Sequence, residues 1–196
     1  MVNHLKLHLL EILHLDLKLR SLHFAIFMLS YIHREGNSMQ QEMMDKTLMD
    51  ARLLGIFKSI CDKNSSSSNR KRLQNILALT NNKQETIKLI VDREYGISID
   101  NYSANKLIEL LDAFFSKSSF RKKVEQGMKK KLLIDQNNRC AICNCDISNE
   151  YHLDHIIPFK YVGDCLENNW QLLCTHCNEK KGASIDYEIK YLLNLV

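Results

Sequence analysis

Four cysteines in the last third of the chain form two pairs with the spacing of metal ligands. Cys140 and Cys143 are separated by two residues, as are Cys174 and Cys177, and thirty residues lie between the pairs. A C-x2-C step on a tight turn points both sulfurs at one ion, and two such turns complete a tetrahedral zinc site. A closed site of four thiolates has no open coordination position, so this zinc would be structural rather than catalytic.

The full set of cysteines indicates a reducing environment and leaves two alternatives to the metal site open. The chain has seven cysteines, an odd number, and six of them follow residue 139. We expect no secretion signal, so thiolates in a reducing cytoplasm are a better interpretation than a disulfide scaffold. The alternatives are that the paired cysteines are buried free thiols, or that Cys145 replaces Cys143 as a ligand. Cys61 and Cys165 are interpreted as small, partly buried residues.

The segment between and after the cysteine pairs carries a recognisable motif. It contains His152-Leu-Asp-His155-Ile-Ile-Pro, then Gly163-Asp, then Asn169 shortly before a Leu-Cys, and finally Cys177-Asn-Glu-Lys-Lys181. In this order and spacing, residues 137–185 resemble the HNH endonuclease family, the ββα-metal nuclease fold in its zinc-containing form. The first 136 residues show no such resemblance.

The resemblance implies a role for each matching residue. His155 corresponds to the general base that takes a proton from the attacking water, and an imidazole, with a reference pKa of about 6.5, suits that task. Asp154 would ligate the catalytic metal. Asn169 would brace the loop and help to orient the histidine. Asn178 stands where the family usually has its last histidine, so this chain is an H-N-N variant.

This variation bears on the choice of metal. A carboxylate from Asp154 and an amide oxygen from Asn178 form a hard oxygen site, which favours Mg²⁺ or Mn²⁺ over Zn²⁺. The alternative interpretations are that His155 is a core or turn histidine and Asn178 simply begins a helix. We expect Trp170 to lie in the core.

Positive charge is concentrated just before the first cysteine pair. The net charge is only +4, but residues 117–139 contain eight basic and two acidic residues. A polyanion approaches four thiolates and a carboxylate only if cations surround them. We therefore expect six lysines to contact phosphates: Lys129, Lys130, Lys131, Lys160, Lys180 and Lys181. The alternative is that these lysines form a solvated surface.

The fold that must position these residues is expected to be α+β, with a mainly helical amino-terminal region followed by a small zinc-stapled ββα-metal domain. The predicted divisions are residues 1–63, a helical region of unknown role; 64–69, a serine-rich linker; 70–136, helices with the basic stretch; and 137–196, the HNH domain. Helices are predicted over residues 40–60 and 72–79, from Asn81 or Asn82 to Gly96, after a Ser103 cap, and over the basic stretch. Residues 5–19 are predicted to be helical, with a hairpin or a poorly ordered leader as alternatives.

The resemblance implies a metal-dependent endonuclease that cuts double-stranded DNA to leave 5′-phosphate and 3′-hydroxyl ends, and the cysteine usage predicts that it is cytoplasmic. By analogy, it would serve in restriction or phage defence, with a protein partner or a second copy bound through the helical region. No membrane association is expected, because the longest nearly uncharged run of the leucine-rich amino terminus, residues 24–32, is far below the ~20 residues of a spanning helix. The alternatives are a non-catalytic, zinc-stapled nucleic-acid-binding or assembly subunit, or a nuclease directed at RNA.

Overall fold

The computed structural model describes residues 38–193 and residue 195, so the prediction for residues 5–19 lies outside the described residues. The described part is rich in helices and has one small sheet, which confirms the α+β class. Its elements are α1 (Ser38–Lys63), α2 (Ser67–Leu79), α3 (Lys83–Tyr95), α4 (Asn101–Ser116), α5 (Gln126–Asp135), β1 (His152–His155), α6 (Phe159–Val162), β2 (Trp170–Leu173), α7 (Thr175–Lys181) and α8 (Ile185–Leu192). None of the described helices is long and apolar enough to cross a membrane.

The ends of α3 lie where local sequence signals predict them. Asn82 is the N-cap, and its Oδ1 accepts a hydrogen bond from the Glu85 amide at 3.1 Å. Gly96 ends the helix with φ +65°, a left-handed conformation that glycine adopts without steric cost. The cap of α4 differs from the prediction, because Asp100, not Ser103, accepts from the amide of residue 103.

Two predicted segments have different structures. Ser66 caps α2 by accepting from the Asn69 amide, so much of the predicted linker is the first turn of a helix. Serine is common both at helix N-caps and in flexible linkers. Within the basic stretch only α5 is helical, and residues 117–125 form an irregular segment. The pattern of charges does not specify a helix there.

The principal hydrophobic core joins the helical region to the carboxyl-terminal part of the chain. It contains Phe57 of α1 and Leu107 of α4 together with Val162 of α6 and Ile185 and Ile189 of α8. A smaller core lies on the sheet and includes Ile147, Leu172 and Leu173. The division of the chain at residue 136 stays a prediction, but elements on both sides of it share a core.

The sheet is a two-stranded antiparallel hairpin with a defined register. Asp154 lies opposite Gln171, and His155 lies opposite Trp170. Successive side chains of a strand point to opposite faces. His155 is the last residue of β1, and the backbone bends immediately after it. The carboxylate and the imidazole therefore leave the strand in different directions at the point where pairing ends.

Candidate functional site

The structure brings the four predicted cysteine ligands together. The sulfurs of Cys140, Cys143, Cys174 and Cys177 all lie within 4.8 Å of one another, and Cys143 Sγ is 3.7 Å from Cys174 Sγ. Zinc–sulfur bonds of about 2.3 Å in a tetrahedron place neighbouring sulfurs about 3.8 Å apart. The donor set and its spacing therefore fit a structural zinc ion.

Two backbone turns present these sulfurs. In the first turn the Cys140 amide donates to the Cys145 carbonyl at 2.9 Å, and Asn144 takes φ +60°. The Cys145 amide, by hydrogen bonding to Cys143, lowers the pKa of that thiol to about 6, which favours the metal-binding thiolate. In the second turn Cys174 caps α7, and its sulfur accepts from the Cys177 amide. The Cys145 thiol is not one of the four clustered sulfurs, although it lies beside them and interacts with the thiols of Cys143 and Cys174.

His155 lies in a closed aromatic pocket. Only 5% of the residue is exposed, and its ring lies 3.8 Å from the Trp170 ring and 5.6 Å from the Phe159 ring, measured between centroids. Its Nε2 is 2.8 Å from Oδ1 of Asp164. Sequence reasoning placed Trp170 in the core and assigned no role to Asp164. The Gly163-Asp pair was visible in the motif, but only the chain reversal through α6 brings this carboxylate back to the histidine.

Asn169 holds the turn that follows His155. Its side chain accepts from the Ile157 amide at 2.7 Å and donates to the Ile157 carbonyl at 2.9 Å, and its own carbonyl accepts from the Ile156 amide. The residue is 5% exposed. A residue that braces this turn must make such bonds. That Asn169 thereby helps to orient His155 stays a prediction.

Asp154 is paired with residues from two neighbouring elements. Its Oδ2 lies 2.8 Å from Lys181 Nζ and accepts from Gln171 Nε2 at 3.2 Å. The Lys181 side chain is completely buried and also donates to the His155 carbonyl at 2.6 Å. The prediction that Lys181 contacts nucleic-acid phosphates does not fit this burial, because its ammonium group already bonds Asp154 and the His155 carbonyl of β1. Nearby, burial raises the pKa of Glu188, and its Oε2 has no hydrogen-bond partner.

Asn178, the second predicted metal ligand, lies on α7. Its amide donates to the Cys174 carbonyl, which fixes the first turn of this helix to the zinc-type cluster. Residues three apart share a helix face, so Asn178 lies on the same side of α7 as Lys181, the residue that reaches Asp154. Carboxylate and amide oxygens fit Mg²⁺ or Mn²⁺, which bind proteins through few ligands and keep several waters.

The remaining predicted phosphate-binding lysines have different exposures. Lys130, Lys131, Lys160 and Lys180 are exposed, and Lys129 is half-buried. Their predicted contacts with phosphate stay predictions.

Residues 140–184 match the HNH endonuclease family, and the match spans both cysteine pairs, His155, Asn169 and Asn178. Comparisons with curated proteins and with solved structures gave no match. The carboxyl-terminal part of the chain is therefore an HNH domain, which indicates nuclease activity in general and nucleic acid as the substrate.

Proposed function

We propose that the protein is a metal-dependent endonuclease that hydrolyses phosphodiester bonds of double-stranded DNA. The observation that supports it best lies inside the HNH domain: α7, which carries Asn178 and is held by the four-cysteine cluster, also contacts β1, which carries Asp154 and His155, through Lys181. One structural zinc ion would then fix the relative positions of the groups that act on the phosphate.

In this mechanism His155 is the general base. It takes a proton from a water molecule as that water attacks phosphorus, a contribution worth about 10²–10⁴ in rate. The aromatic rings of Trp170 and Phe159 hold the imidazole, and the Asn169 brace fixes the backbone beyond it. These contacts prepare the base before the substrate arrives.

Asp154 and Asn178 would hold the catalytic Mg²⁺ or Mn²⁺. Asp154 bonds Lys181 and Gln171 through Oδ2, which leaves its Oδ1 available to such an ion. When bound, such an ion stabilises the charge that develops on the phosphate and the leaving oxygen. Lys181 Nζ, 2.8 Å from Asp154 Oδ2, orients the Asp154 side chain.

Exposed lysines would bind the substrate backbone. Contacts from Lys130, Lys131, Lys160 and Lys180, with the half-buried Lys129 beside them, would be independent of base sequence and weakened by salt. By analogy with HNH domains joined to unrelated helical regions, we place the enzyme in restriction or phage defence. In that setting α1–α4 would bind a protein partner or a second copy.

One observation favours a second function, a non-catalytic nucleic-acid-binding module. Asp154 is already paired with Lys181 and Gln171, and His155 is buried and bonded to Asp164. A zinc-stapled binding domain would need neither residue in a reactive state.

A plasmid-nicking assay separates the two functions. Supercoiled DNA is incubated with the zinc-loaded protein and Mg²⁺ or Mn²⁺, and Asp154→Ala is run in parallel. We expect nicking that needs the added ion and falls at least tenfold in the variant, with Lys46→Ala, an exposed lysine of α1, as the unaffected control. DNA binding in a gel-shift assay without nicking would support the module, and cleavage of RNA but not DNA would change the substrate.

A further inference from the structure

We propose that Asp164 is a positioning residue that fixes the tautomer of His155, so that Nε2 carries the ring proton and Nδ1 accepts the proton from water. This inference rests on the proposed function only for the role of Nδ1. It starts from the 2.8 Å contact between His155 Nε2 and Asp164 Oδ1, two side chains that are each 6% exposed.

The Asp164 carboxylate determines which nitrogen of the His155 ring carries the proton. Asp164 also accepts from the Lys122 amide through Oδ2 at 2.6 Å. Burial works to raise the pKa of Asp164, but these hydrogen bonds from Lys122 and His155 lower it below the usual value of a carboxyl. An ionised carboxylate only accepts hydrogen bonds, so its His155 partner must be an N–H donor. Nε2 is therefore protonated, and the lone pair of a neutral ring lies on Nδ1.

The ring orientation follows from the same contact. Rotation of the imidazole by half a turn about its bond to Cβ would bring Cε1 to Asp164 in place of Nε2 and lose the charge-assisted bond. The rings of Trp170 and Phe159 pack against the imidazole and limit its other orientations. The pocket thus selects both an orientation and a tautomer.

Asp164 is itself held by the irregular segment 117–125. Besides the Lys122 amide, Lys117 Nζ donates to the Lys160 carbonyl, and the Arg121 guanidinium lies 5.1 Å from the centre of the Phe159 ring. The segment packs closely here, since a Cβ on Gly163 would lie 3.0 Å from the Lys117 Cβ. Part of the basic stretch thus anchors the carboxylate that orients His155.

The replacement Asp164→Asn tests this role because an amide has a single acceptor oxygen. The Lys122 amide and the His155 Nε2–H would now compete for that oxygen. If the oxygen stays with Lys122, the amino group of the introduced amide faces Nε2, and the ring proton must move to Nδ1. The equivalent wrong-tautomer change in the Ser-His-Asp triad lowers kcat about 10⁴-fold.

We expect Asp164→Asn to lower kcat for plasmid nicking at least a hundredfold while KM changes less than threefold. Glu167→Gln, which changes an exposed acid three residues away, is the matched control and should keep the wild-type rate. An unchanged kcat in Asp164→Asn would refute the role of Nδ1.

The tautomer is measured independently of activity by long-range ¹H–¹⁵N spectra of the zinc-loaded full chain. The His155 ring is assigned from the signals lost in His155→Gln. We expect a proton on Nε2 in the wild type and its transfer to Nδ1 in Asp164→Asn. A wild-type ring without a proton on Nε2 overturns the assignment.

The wild-type spectrum does not depend on Asp164→Asn, so it decides even if that variant is unstable. An inactive wild type with the expected spectrum would refute the proposed nuclease while the tautomer assignment stands.

Discussion

The hydrogen bonds of the Asn169 side chain allow us to calculate how much stability the protein loses when this residue is replaced. Its side chain makes two hydrogen bonds to the backbone of Ile157, one to the amide at 2.7 Å and one to the carbonyl at 2.9 Å. Replacement by alanine removes both partners at a position where Asn169 is 5% exposed and Ile157 is 9% exposed. Each buried polar group left unpaired costs about 1–3 kcal/mol. Partial relaxation reduces the sum, so we expect Asn169→Ala to lower the free energy of unfolding by about 2–4 kcal/mol.

Urea unfolding of the zinc-loaded protein, followed by circular dichroism, measures this change. The matched control is Asn105→Ala on α4, which removes an exposed asparagine that accepts one hydrogen bond from Gln84. Surface changes of that kind alter stability by less than about 0.5 kcal/mol. A loss below about 1 kcal/mol for Asn169→Ala, or equal losses for both variants, would refute the claim that this side chain holds the turn.

Three further predictions concern the zinc-type cluster, a buried acid and a helix cap. Metal analysis should find about one zinc ion per chain. Cys174→Ser should unfold the carboxyl-terminal domain, because a closed thiolate site contributes roughly 10 kcal/mol to folding. Unchanged near-ultraviolet circular dichroism of this variant would contradict the prediction. Burial raises the pKa of Glu188 above 4.5, so its ionisation costs the folded state stability as pH rises from that value through the raised pKa. Glu188→Gln should therefore stabilise the protein more at pH 7 than at pH 4, and equal gains at both pH values would refute the assignment. Asp100→Ala removes the cap of α4 and should cost about 1 kcal/mol in urea unfolding, with the exposed Asp112→Ala as the near-neutral control.

The parts of the site that depend on local chemistry were predictable from the sequence. Two C-x2-C steps are self-contained turns, so their spacing alone indicated the cluster that Cys140, Cys143, Cys174 and Cys177 form. The cap at Asn82 and the stop at Gly96 are local in the same sense. The division of the chain into domains was less accessible, because α6 and α8 join the core of the helical region through contacts that span most of the chain.

Residues whose roles arise from tertiary contacts were missed or misassigned. Asp164 is nine residues from His155, and Gln171 reaches Asp154 only through the hairpin register. Lys181 was misassigned for the same reason. Lys180 and Lys181 lie three and four residues after Cys177, so helix spacing places both near the face of that ligand and does not single out the buried one. Only the contacts of Lys181 with Asp154 and with the His155 carbonyl distinguish it from the exposed Lys180.

In the proposed mechanism, the imidazole of His155 activates the water that cuts the phosphodiester bond. The most direct test of this step is the rate of plasmid nicking in Mg²⁺ by His155→Ala, compared with the wild type and with His152→Ala, which removes the histidine at the other end of β1. We expect a loss of at least a hundredfold for His155→Ala, as for a general base, and less than about threefold for His152→Ala. Nicking by His155→Ala at the wild-type rate would contradict the account.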